Sequence, residues 1–153
     1  MPLLSRRGLT DSLVAVILLF KPEVNQIVGT SHQIDVMIQQ ARQAWLEGNG
    51  SAFAALFSTA GEFIVPGQKW QGRAAILEAF RTFSAAHSVN VIEIRNCVVR
   101  DNRVMLEWYW EDREHLTGKV SQAEDEIAID FHGDLIQRWR EYIDTASCQQ
   151  PRV

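Results

Sequence analysis

Near the C-terminus the segment Leu135–Asp144 reads LIQRWREYID, and one residue in it is out of place. Successive side chains of a β-strand alternate between faces. Trp139, Glu141 and Ile143 therefore share one face, and Arg138, Arg140 and Tyr142 the other. Glu141 thus joins a Trp and an Ile on the side a sheet would bury. A carboxylate held between indoles loses hydration, which raises its pKa. A Glu tuned toward neutrality exchanges protons as a general acid or base. Enolisation, dehydration, cyclisation and isomerisation need little more than such a group, an oriented substrate and a donor for the developing oxyanion.

Antiparallel pairing extends this constellation, because directly opposed residues share a face. A turn at Asp101-Asn102 sets Trp108 opposite Arg95, Trp110 opposite Glu93 and Leu106 opposite Cys97. A turn at Gly133-Asp134 sets Trp139 opposite Ala128 and Glu141 opposite Glu126. On that register one face carries Glu93, Arg95, Trp108, Trp110, Glu126, Trp139 and Glu141. The indoles and Glu93 would line a ligand cavity, and Glu141, Arg95 and Glu126 would form its acid-base group. A bulge would shift these partners by one. Structural readings stand beside the functional one. Glu141 and Arg95 can form an ion pair that closes the fold, Glu126 can be a solvated rim residue, and the three Trp can be plain core. Trp70 either caps the cavity mouth or anchors the loop before the third helix. His87 and His115 read as surface residues, Asp130 and His132 as solvated turn residues. Tyr109 and Glu107 fall on the outer face, where a dimer contact is the expected role.

The elements that must position these groups are legible in the periodicity. In TSHQIDVMIQQARQAWLEGNG, Ile34, Met37, Ile38, Ala41 and Trp45 repeat at helical spacing. Thr30 and Gln33 have capping-box spacing, and Gly48 supplies the stop. SAFAALF reads as a short helix capped by Ser51. GEFIVPG reads as a short strand ended by Pro66, and QGRAAILEAFRTF as a third helix. The period then changes to two. VNVIEIRNCVVR and RVMLEWYWEDRE form one hairpin, EDEIAIDF and LIQRWREYID another, with HLTGKVSQ as the connection. Helices first and antiparallel strands after give an α+β layout, with helices on one face of a curved sheet.

The chain has 153 residues, 46% hydrophobic and 22% charged, as expected of one soluble domain. Its net charge is -4, and no Lys/Arg run suggests nucleic acid as a partner. Two cysteines and four scattered histidines make neither a disulfide framework nor a metal pattern. No phosphate-binding or nucleophile-elbow motif occurs. Five Trp is a high count and suits cavity walls. Residues 1–29 stand apart as an N-terminal extension. LVAVILLF after SRRGLT resembles a signal segment, yet it is shorter than the roughly 18 residues of a membrane span. No good cleavage site follows. A non-cleaved extension of a cytoplasmic protein is the expectation, export the alternative. The expected domain runs over residues 30–147, with 148–153 as a tail.

The leading helices, F-x-V-P-G…W-x-G-R-x-A-I-x-x-F, the two hairpins and the terminal G-x-L-I-x-x-W-R-E-Y-I-D resemble the SnoaL-like branch of the nuclear transport factor 2-like superfamily. The resemblance covers roughly Ser31 to Thr145, and Trp139-Arg140-Glu141-Tyr142 is its most specific part. It implies a cone, a strongly bent, mainly antiparallel sheet around an internal cavity closed by helices. It also implies homodimers through the outer sheet face. The superfamily includes ketosteroid isomerases, polyketide cyclases, limonene epoxide hydrolases and members that only bind or scaffold, so the fold does not choose a function. In the epoxide hydrolases the acid between Arg and Tyr of this motif faces the cavity and helps to hold the attacking water; Glu141 matches it. Their Arg-x-Asp on the preceding hairpin corresponds to Trp108 and Trp110. That replacement argues against epoxide hydrolysis by their mechanism. Two functions follow. One is a binding protein for a small hydrophobic ligand, without metal or cofactor. The other is an isomerase-, cyclase- or dehydratase-type enzyme using Glu141 on a small hydrophobic carbonyl compound.

Overall fold

The computed structural model describes residues 31–146. The N-terminal extension over residues 1–29, the Thr30 cap and the tail expected from the sequence lie outside them. Helix α1 spans Ser31–Glu47 and buries Ile34, Ile38, Ala41, Ala44 and Trp45, the apolar stripe of the sequence. Gly48, at φ +64°, ends it. The amides of Gly48 and Asn49 donate to the carbonyls of Trp45 (3.2 Å) and Ala44 (2.8 Å), the paired bonds of a Schellman stop. Asn49 then starts α2 (Gly50–Ala55), its side chain accepting from the Ala52 amide at 3.0 Å. The cap is thus Asn49, not Ser51, because the Schellman stop leaves Asn49 one residue before the helix.

Strands β1 (Phe57–Val65) and β2 (Gln68–Gln71) form a hairpin, and α3 (Arg73–Ala86) follows. Trp70, expected in a loop, lies on β2 opposite Phe63, and the two rings stack at 5.5 Å. β3 (His87–Arg100), β4 (Arg103–Glu114), β5 (Val120–His132) and β6 (Leu135–Asp144) complete the sheet. Its order among the described residues is β2-β1-β6-β5-β4-β3. All neighbours are antiparallel except β1 and β6. This is the expected α+β architecture, a curled, unclosed and mainly antiparallel sheet with helices on its concave face. Phe53, Phe57, Phe80 and Trp45 join helices to sheet. Burying each such side chain stabilises the fold by roughly 2 kcal/mol.

Both hairpin turns lie where the sequence puts them. Asp101 has φ +52° and Gly133 φ +59°. The register does not follow from the turns alone. Leu106 does lie opposite Cys97, but an irregularity between Ile94 and Asn96 leaves Arg95 as an extra residue. Trp108 therefore faces Ile94, and Trp110 faces Ile92. A second irregularity beside the β5–β6 turn sets Trp139 opposite Ile129 and Glu141 opposite Ile127. Bulges of this kind insert one unpaired residue and bend the strand.

Candidate functional site

Glu141 is on the inner face and buried, 9% exposed. Alternation along β5 places Asp125, not Glu126, on that face, diagonal to Glu141 and directly opposite Trp108. Asp125 is 5% exposed. Two fully buried indoles hold this pair from behind. Trp108 Nε1 donates to Asp125 Oδ2 at 3.0 Å, and Trp139 Nε1 donates to Glu141 Oε1 at 2.8 Å. The two indole rings lie 5.6 Å apart. Among the described residues no group donates to Asp125 Oδ1, which is buried.

Burial dominates the electrostatics. It pushes the Asp125 carboxyl up to about 6, against the Trp108 hydrogen bond and with a small upward push from Glu124. It pushes Glu141 up to about 8, helped by repulsion from Asp125 and opposed by the Trp139 hydrogen bond. Two carboxylates in one apolar site cannot ionise independently. The site near neutral pH thus holds one negative charge and one proton.

In front of the pair an open cavity of about 690 Å³ is bounded by β1, β2, α3 and the inner sheet face. Trp45, Phe63, Trp70, Phe83 and Trp110 supply its aromatic walls, and Asp125 and Glu141 face it. Trp45 stacks on Phe80 at 4.0 Å and meets Trp110 edge-on at 5.3 Å. The Trp45 indole N–H is buried, and no group among the described residues accepts from it. Trp110 Nε1 donates to Asp112 Oδ2 at 2.9 Å, and His87 Nδ1 pairs with Asp112 Oδ1 at 2.7 Å. His87 also stacks on Phe83 at 4.9 Å, so it braces the wall rather than lying loose on the surface. The rim is polar and exposed: Gln68, Glu78, Thr82, Ser121, Gln122 and Thr145.

The structure brings together Glu141, Trp110 and Trp70 as cavity-facing groups. Trp108 and Trp139 are not walls; they lie beneath the acids and orient them. Glu93, Arg95 and Glu126 require correction. The extra residue at Arg95 turns that side chain to the outer face, where it pairs with Glu93 at 2.9 Å and lies 5.3 Å from the Tyr109 ring centroid. Glu126 is exposed opposite Glu107 and Tyr142. No Arg95–Glu141 ion pair forms. Asp125, Trp45, Phe63 and Asp112 were missed as site residues. The signal for Asp125 was present in EDEIAIDF, where it alternates with Ile127 and Ile129 as Glu141 alternates with Trp139.

Residues 38–139, more than half of the chain, match the sequence profile of the SnoaL-like domain. The chain belongs to the SnoaL-like family. Solved structures share the fold at low identity. One is a Catenulispora acidiphila protein with a ketosteroid isomerase-like fold, in complex with trimethylamine. It is 17% identical, has a TM-score of 0.65, and the match covers 69% of this chain and 83% of that one. An NTF2-like protein of Burkholderia xenovorans is 20% identical with TM-score 0.61, over 76% and 92% of the two chains. A Xanthomonas campestris protein, provisionally assigned as a polyketide cyclase, is 18% identical with TM-score 0.64, over 76% and 94%. No curated protein matches. No helix among the described residues is long and apolar enough to cross a membrane.

Proposed function

We propose that this SnoaL-like chain binds a small, partly hydrophobic molecule in the cavity in front of Asp125 and Glu141. The observation that carries the reading is an open volume of about 690 Å³ walled by aromatic rings over two buried acids. Ligand sites are mostly apolar with a few placed polar groups, whereas a packed core leaves no such volume. Ala79 on α3 lines the same space. Ala79→Trp would fill it, so this variant should keep its circular-dichroism spectrum and lose about tenfold or more in affinity for any small hydrophobic guest. Unchanged affinity in a folded Ala79→Trp protein would overturn the assignment. Native mass spectrometry of the purified chain is the direct route to a co-purified guest.

A second reading is favoured by the acid pair. Carboxyls pushed to about 6 and about 8 lie on either side of neutrality. Asp125 as the ionised base and Glu141 as the protonated acid would suit proton shuttling on a small hydrophobic carbonyl compound, in an isomerase, cyclase or dehydratase reaction. Glu141→Gln should then preserve guest binding and abolish turnover. Turnover that survives Glu141→Gln removes this reading and leaves the first intact. Pairing of two chains through the outer sheet face, and residence in the cytoplasm rather than export, complete the proposal.

A further inference from the structure

The acidic residues lining the cavity among the described residues are Glu78, Asp112, Asp125 and Glu141; no Lys, Arg or His lines it. Each acid is in a different condition. Glu78 is exposed on the rim. Asp112 is satisfied by Trp110 and His87. Glu141 accepts from Trp139. Asp125 alone keeps a buried oxygen with no donor, beside five aromatic rings that share its cavity. An unengaged buried carboxylate oxygen is unfavourable unless a donor reaches it. The faces of indole and phenyl rings carry negative potential and attract cations, most strongly when water is excluded. An anionic guest would meet repulsion from every charged group on the walls. A neutral guest without an N–H or O–H would leave Asp125 Oδ1 without its donor, and one with such a group would leave the carboxylate's buried charge uncompensated.

The geometry points to a small hydrophobic ammonium as the guest: a protonated amine whose N–H reaches Asp125 Oδ1 while its alkyl or aryl groups lie against the indoles. This rests on the cavity-binding reading and gives it a chemical class. The remaining groups around Asp125 agree with it. Trp108 holds the other carboxylate oxygen, the neighbouring Glu124 adds negative charge, and β1 and β2 contribute Phe63, Val65, Gln68 and Trp70 to the cavity without a cation.

The test is isothermal calorimetry on the intact chain with three probes of similar size. These are N,N-dimethylbenzylamine, its carbon isostere isobutylbenzene, and phenylacetate. The amine should bind about tenfold or more tighter than isobutylbenzene, and phenylacetate should give no saturable heat. Asp125→Asn, which retains an oxygen for Trp108, should weaken the amine about tenfold and leave isobutylbenzene within about twofold. A merely structural Asp125 would weaken both alike, and that result would overturn the inference. The wild-type chain supplies a variant-free arm should Asp125→Asn fail to fold. Between pH 7 and pH 5 the amine stays protonated while Asp125, at about 6, gains its proton. Amine affinity should therefore fall about tenfold over that range, with isobutylbenzene affinity flat. Equal or tighter binding of isobutylbenzene, or of phenylacetate, refutes the ammonium while upholding a binding cavity. No saturable heat from any probe counts against both.

Discussion

Glu141 and Asp125 hold their protons to higher pH in the folded chain than they would in water. Both carboxyls are raised in the folded state, to about 8 and about 6. The folded chain therefore binds protons more tightly than the unfolded chain. The stabilisation is fully present below the unfolded values near 4, and is lost as pH rises through about 6 and then about 8. Thermal unfolding followed by circular dichroism should show Tm falling between pH 5 and pH 8. Glu141→Gln should flatten the upper part of that fall and Asp125→Asn the lower part. The loss at stake is on the order of several kcal/mol. A Tm that rises across the range in the wild-type chain would contradict the burial argument. At this scale the sequence was partly legible. An acid alternating with Trp and Ile marks Glu141, and the same test marks Asp125 on β5. Arg95 is not legible this way, because pairing that counts every residue of β3 puts it on the inner face and the bulge puts it on the outer one.

The elements explain that miss. The hairpin turns, the helix stop at Gly48 and the bounds of β4 and β6 follow from local residue chemistry, and local chemistry is what a sequence displays. A bulge is decided by how the sheet must bend around α1 and α3, which no short window contains. The parallel β1–β6 contact was unreadable for the same reason, since it joins the two ends of the domain. Gly61 shows how close that contact is. A Cβ at this position would lie 2.9 Å from the Ile136 carbonyl oxygen of β6, and its own carbonyl accepts from the Gly72 amide at 2.8 Å. The opposing atom is backbone and cannot swing aside. Gly61→Ala should cost about 1–3 kcal/mol in urea unfolding, whereas Arg95→Ala on the outer face should cost less than about 1 kcal/mol. A Gly61→Ala chain as stable as the wild type would show that β1 and β6 can separate at low cost.

At the scale of the whole molecule, the sheet has two unlike faces. The concave face carries the cavity, and the convex face carries Tyr142, 49% exposed, with exposed Glu107 and Glu126 beside it. The proposed self-association through this convex face gives a direct expectation. Multi-angle light scattering should return about twice 17.4 kDa, and Tyr142→Arg should return the single-chain mass. A single-chain mass for the wild type at micromolar concentration would remove the dimer and leave the cavity reading untouched, because the cavity lies on the opposite, concave face.

The two indoles beneath the acids carry one more consequence. Excitation of indole moves electron density from the pyrrole ring toward the benzene ring, so a negative charge at the pyrrole N–H lowers the excited-state energy. Trp108 and Trp139 each point that N–H at one of the two titrating carboxyls. Their emission is thereby wired to the proton inventory of the interior. Alkalinising the solution should drag the spectrum to longer wavelength in two steps, Trp108 first and Trp139 second, so the molecule reports the ionisation of its own floor without a dye.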